Sequence, residues 1–124
     1  RLVPYCLFTD PELAHVGSSE KAARAKGLAY RLFRIPMAAD LRTRTLSETR
    51  GFMKALVAPD SERSDRILGF TVFGFGGGEI MSAVQLAMLG NLPYTAIRDA
   101  VLTHPTLTEG LVQLFSSAPK TINP

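Results

Sequence analysis

His104-Pro105-Thr106-Leu107-Thr108-Glu109 places an imidazole five residues ahead of a carboxylate, across a proline. Imidazole titrates near neutral pH and can take or give a proton there. A carboxylate on its second nitrogen would fix the tautomer and favour the imidazolium. Pro105 locks its own φ and biases His104 towards extended backbone, so no helix is expected to run through the site. The same letters have a plainer use. Thr106-x-x-Glu109 is a capping box, in which Thr106 caps a helix and Glu109 reaches back to it. Capping is the commoner meaning of that spacing, and the two roles are compatible. A glutamate on the first helical turn can still turn one oxygen towards His104.

The other reactive residues carry less. Cys6 lies among Tyr5, Leu7 and Phe8 and reads as a small core residue rather than a nucleophile. His15 sits between Ala14 and Val16 in a strand, without a partner at metal-ligand spacing, and reads as structural. Asp10 and Glu12 flank Pro11 in a turn. Gly74-Phe75-Gly76-Gly77-Gly78-Glu79 stands between a strand and a helix, where phosphate-binding loops occur. It lacks the Gly-Lys-Ser/Thr of a P-loop, and the last glycine of a dinucleotide fingerprint falls on Glu79 or Met81. Glu79 is better read as an acid at a helix N-terminus.

The elements that must position His104 and Glu109 follow from pattern. Strands are expected at Tyr5 to Phe8, Leu13 to Val16, Leu28 to Ile35, Phe52 to Val57 and Ile67 to Phe73, the last two forming an antiparallel hairpin. Apolar residues on both faces of that hairpin suggest a sheet covered on each side. A helix over Glu20 to Lys26 is capped by Ser18 or Ser19 and stopped by Gly27. Met37 to Glu48 is ambiguous, with room for one helical turn and a loop. Helices follow at Glu79 to Leu89, Tyr94 to Leu102 and Thr108 to Ser116. The first is apolar all round, which predicts burial. The class is α+β, with a largely antiparallel sheet and flanking helices. Residues 1–118 read as one domain and 119–124 as a tail expected to fray.

Composition sets the outer bounds. The 124 residues are 46% hydrophobic and 20% charged, an ordinary globular balance. No apolar run approaches the roughly 20 residues of a membrane helix, so no membrane partner is expected. One cysteine excludes an internal disulfide and suits a reducing, cytoplasmic compartment. The net charge is +3, with much of the basic excess between Lys21 and Lys54, but spread over several elements without a dense run. No nucleic-acid partner is therefore expected. The chain opens on Arg1, directly into strand-like sequence, which reads as a domain of a longer protein.

In order along the chain, three motifs resemble one family. Phe8-Thr9-Asp10-Pro11-Glu12-Leu13-Ala14-His15-Val16-Gly17, followed by Ser19-Glu20, looks like the entry to the C-terminal dimerisation domain of the pyridine nucleotide-disulfide oxidoreductases. Ile67-Leu68-Gly69, the glycine loop and Glu79 resemble that domain's central hairpin and helix. His104-Pro105-Thr106-Leu107-Thr108-Glu109 is similar to its H-P-T-x-x-E signature, with Thr108 where serine is common. The likeness covers nearly the whole chain.

The resemblance implies a parent similar to dihydrolipoamide dehydrogenase, glutathione reductase or mercuric reductase: a homodimer holding FAD and using NAD(P)H. By match, His104 would exchange a proton with a thiol of the partner subunit, and Glu109 would hold its imidazole. A cis His104-Pro105 peptide would bring its backbone near the flavin. The FAD and NAD(P) domains and the redox cysteine pair are not in this sequence, so the 124 residues alone are expected neither to bind these cofactors nor to be active. There is no vicinal cysteine pair near the C-terminus, and mercuric reductases generally lack this histidine; both count against mercury as substrate. The contrasting reading is a free-standing α+β binding module in which Thr106 and Glu109 only cap a helix.

Overall fold

Strand-forming residues from both ends of the chain meet in one sheet. The computed structural model describes residues 2–124. Six strands, β1 (Tyr5–Leu7), β2 (Glu12–Gly17), β3 (Tyr30–Pro36), β4 (Phe52–Val57), β5 (Ile67–Gly74) and β6 (Lys120–Ile122), pair antiparallel in the order β1-β2-β5-β4-β3-β6. The β4–β5 hairpin is the centre, and β2 lies beside it with Val16 opposite Phe70 and Ala14 opposite Val72. The helices are α1 (Glu20–Ala25), α2 (Leu41–Thr45), α3 (Gly77–Leu89), α4 (Tyr94–Arg98) and α5 (Gly110–Ser116). Ser19 caps α1 by accepting the Ala22 N–H at 3.0 Å.

Alternation sorts the sheet into two faces. Ala14, Val16, Phe33, Ile35, Met53, Ala55, Phe70 and Val72 point inwards and are buried against Ile80 and Val84 of α3 and Leu111, Leu114 and Phe115 of α5. Tyr94 at the head of α4 closes this core, its ring 4.9 Å from Phe33 and 5.5 Å from Phe115. On the opposite face α1 covers only one end, where Ala23, Tyr30 and Leu56 form a smaller cluster. The rest of that face, with Arg34 stacked 4.2 Å over Phe52, is half-open. The sheet is thus covered on both sides at one end only, because α1 is too short to span it.

Four further expectations are revised. The C-terminal tail does not fray: Lys120, Thr121 and Ile122 pair with Leu32, Arg31 and Tyr30, extending the sheet at its β3 edge. The domain therefore includes the residues assigned to a tail. Secondly, α3 is buried along one stripe, Ile80, Met81, Val84 and Ala87, while Leu86 and Leu89 are 69% and 59% exposed. Thirdly, α4 stops at Arg98, not Leu102, with Asp99 as its C-cap, and Val101 is fully exposed and so has no core to hold it in a longer helix. Lastly, α3 begins at Gly77, two residues before Glu79, because Gly76 turns the chain with φ +70°. The ambiguous stretch resolves into a 3-10 turn at Met37–Ala39 and the single turn of α2.

Candidate functional site

The segment between α4 and α5 carries the site. His104 and Pro105 are joined by a cis peptide, and so are Asp10 and Pro11. Behind Pro105, Thr106 donates its hydroxyl to the Thr103 carbonyl at 2.8 Å and accepts the Glu109 N–H at 3.3 Å. The N–H groups of Gly110, Leu111 and Val112 each reach back three residues, to Leu107, Thr108 and Glu109, so a tight turn leads into α5. Leu107 packs into the main core and abuts Gly76, which anchors the segment to the loop between β5 and α3.

That frame brings His104 and Glu109 together. His104 Nδ1 lies 2.7 Å from Glu109 Oε1, with the imidazole 62% exposed and the carboxylate 22%. Nδ1 is therefore the donor to the carboxylate, and Nε2 has no hydrogen-bond partner among the described residues. The capping box is made by half: Thr106 serves the Glu109 amide, but the Glu109 side chain goes to the imidazole instead of back to Thr106. An exposed imidazole with one nitrogen fixed and the other free can hold or release a proton at a defined atom.

Asp40 also belongs to this site, although no local motif marks it. Its carboxyl, at the head of α2, is buried beside Gly110; a methyl group on Gly110 would lie 3.4 Å from Asp40 Oδ2 and 2.7 Å from Met53 Cε. Only three-dimensional packing joins the two segments, so no local motif could have found it.

The remaining candidates fall into structural roles. Both His15 nitrogens are engaged, Nδ1 with Thr71 Oγ1 at 2.7 Å and Nε2 with the Gly17 carbonyl at 2.8 Å. Cys6 is half-buried rather than in the deep core; burial and the nearby Glu12 carboxylate both push its thiol up, away from the nucleophilic form. In the glycine loop, the Gly78 N–H donates to Glu12 Oε1 at 3.0 Å, so the amide at the head of α3 already has an anion of its own chain. Arg31, Arg50 and Lys54 of the basic stretch are ion-paired, with Asp60 and Asp65, with Asp10 and Glu48, and with Glu20. Among the described residues no cluster of three His, Cys, Asp or Glu could hold a metal, and no helix is long and apolar enough to cross a membrane. An apolar groove of about 330 Å³ runs between α3, α4 and α5, lined by Leu86, Leu92, Ile97, Leu102 and Leu111 among others.

Residues 3–115 match the family described as the pyridine nucleotide-disulphide oxidoreductase dimerisation domain. The chain belongs to that family. Relatives of this dimerisation domain include the probable pyridine nucleotide-disulfide oxidoreductase RclA of Escherichia coli, 37% identical over 92% of this chain and 25% of RclA. The mitochondrial dihydrolipoyl dehydrogenase of Bos taurus is 34% identical over 98% of this chain and 24% of the enzyme. The chain thus spans about a quarter of the length of the curated relatives it matches. Among solved structures, the HOCl-induced flavoprotein disulfide reductase RclA from Escherichia coli superposes with a TM-score of 0.85 at 37% identity, covering 92% of this chain and 26% of that one. LpdA from Mycobacterium tuberculosis has the same fold, with a TM-score of 0.82 at 19% identity, over 92% of this chain and 24% of that one. The antiparallel sheet with flanking helices is the fold of the dimerisation domain in these neighbours.

Proposed function

We propose that this chain is the interface domain of a FAD-dependent, NAD(P)H-linked disulfide oxidoreductase, joining two subunits and lending His104 and Glu109 to the partner's active site. The observation that carries the reading is the 2.7 Å bond from His104 Nδ1 to Glu109, with Nε2 free on an exposed segment. Reducing a disulfide yields a thiol and a thiolate, so a proton must be held nearby at neutral pH. His104 Nε2 is the atom suited to hold it, and Glu109 orients the ring and offsets the charge it gains.

FAD and NAD(P)H belong to domains beyond this chain. Its one glycine-rich loop does not fit a pyrophosphate: the Glu12 carboxylate occupies the Gly78 amide, and Glu79 stands at the helix entrance. What this chain offers a flavin is the exposed backbone at His104 and Pro105. When bound in the parent, the flavin would supply the electron path between NAD(P)H and the disulfide. The names of the relatives, a flavoprotein disulfide reductase and a dihydrolipoyl dehydrogenase, support such a parent. A single cysteine in the 124 residues accords with a cytoplasmic setting. The free-standing binding module is favoured only by the Thr106 half of the cap, and it leaves the Glu109 carboxylate's choice of partner unexplained.

The deciding experiment is His104→Ala in the full-length flavoenzyme carrying this domain. Disulfide turnover should fall by roughly 10²- to 10⁴-fold, the usual worth of a positioned acid–base group. Flavin reduction by NAD(P)H should continue at its original rate. Equal turnover in variant and parent would refute the proton-transfer role and leave the capping reading.

A further inference from the structure

Asp40 is an acid where the fold needs none. As the residue capping α2, it accepts the Arg42 N–H at Oδ1 over a long 3.4 Å, a service that Ser, Thr or Asn performs equally well. Its side chain is completely buried, and Oδ2 has no hydrogen-bond partner. A buried oxygen left without a partner is costly, more so when charged. Oδ2 lies against Gly110, the residue next to Glu109. The charged groups that act on it are Glu109 and His104 from the segment leading into α5 and Arg44 from its own helix, beside the neutral Arg42 amide. The Arg44 guanidinium is itself engaged by the Ala38 carbonyl.

We propose that Asp40 is a positioning residue of the His104–Glu109 site, a buried second carboxyl that compensates the charge of that pair from behind Gly110. The functional meaning rests on the reading of His104 as a proton carrier. With Glu109 ionised and the imidazole neutral, a second negative charge at Asp40 is opposed by Glu109 and by burial. When the imidazole takes a proton, its positive charge favours ionisation of Asp40, and the two carboxylates share the compensation. Burial first, and then Glu109, push the Asp40 carboxyl above the ordinary aspartate range, while the Arg42 amide, Arg44 and His104 pull it back. Electrostatic coupling of this kind is reciprocal, so Asp40 acts on the pair as the pair acts on it.

The test is carbon NMR of the Asp40 side-chain carboxyl through a pH titration of the 124-residue chain. Its midpoint should fall in Glu109→Gln, which removes a repelling charge, and rise in His104→Gln, which removes an attracting one. An unchanged midpoint in both variants overturns the coupling and leaves Asp40 as a private helix cap. In the full-length flavoenzyme, Asp40→Asn keeps the shape and removes the charge. Its pH profile for disulfide turnover should move to lower pH by about half a unit, the effect of one charge across a partly screened site. An unmoved profile, even with the titrations coupled, overturns the positioning role. The titrations need no redox chemistry, so failure of the His104→Ala experiment would be seen separately from failure of this one.

Discussion

A carboxyl that is buried and half-unpartnered resists ionisation, and at Asp40 this has a consequence for stability as well as for the site. Its folded-state value lies above that of the unfolded chain, chiefly through burial. The sign follows from linkage: at neutral pH the unfolded chain ionises this group freely while the folded one does so at a cost, so Asp40 lowers stability there. The cost is relieved as pH falls through the folded value towards the ordinary aspartate value of about 3.9. Asp40→Asn should therefore raise the thermal unfolding midpoint at neutral pH. That advantage should fade at acid pH; a variant less stable than the parent at pH 7 would contradict the assignment. Keeping an acid at a stability cost is what a functional residue does. At this scale, the His104–Glu109 pair was legible because five residues and a proline fix its geometry locally. Asp40 was not, because it reaches the pair only through the packing of α2 beneath α5.

Among elements, β6 alters the reading of the chain most. Lys120-Thr121-Ile122 is too short to show alternation, and its partner β3 lies far back in sequence, so nothing local marks it as a strand. The pairing closes the β3 edge, and Ile122 packs beside the Ala23, Tyr30 and Leu56 cluster. Ending the chain at Ala118 would remove three residues of ladder and a partly buried isoleucine. A loss of about 1–3 kcal/mol in unfolding free energy is expected, from a few net hydrogen bonds and one apolar side chain. Urea titration of the shortened chain measures it; an unchanged midpoint would restore the frayed tail. The hairpin β4–β5 and helices α1 and α3 were legible because each is bounded by its own local stop, the polar turn after Pro59 for the hairpin, Gly27 after α1 and Gly90 after α3. The end of α4 was misplaced because Ile97 and Val101 repeat at helical spacing, yet Val101 is fully exposed with no core to pack against, and the helix stops at Arg98.

For the molecule as a whole, α3 poses a question that its own fold leaves half answered. Its sequence is apolar on all sides, yet the chain buries only one stripe and leaves Leu86 and Leu89 open beside Leu92 and the groove between α3, α4 and α5. A contiguous apolar face of this kind on a domain of a dimerisation family is best explained by a second copy lying over it, in a two-fold contact that uses the same patch on both subunits. The expectation that α3 is buried would then hold at the level of the dimer. Light scattering on the 124-residue chain should give twice the monomer mass, with dissociation on dilution. Leu86→Glu places a charge where the contact requires hydrocarbon, and should weaken association by roughly 100-fold or more, given several kcal/mol for an unpaired buried carboxylate. Leu86 is exposed in the single chain, so its replacement should leave the thermal unfolding of the monomer nearly unchanged, which separates lost assembly from lost folding. If Leu86→Glu dimerises as tightly as the parent chain, the contact lies elsewhere, and the open face of the sheet around Arg34, Phe52 and Phe73 becomes the surface to substitute next.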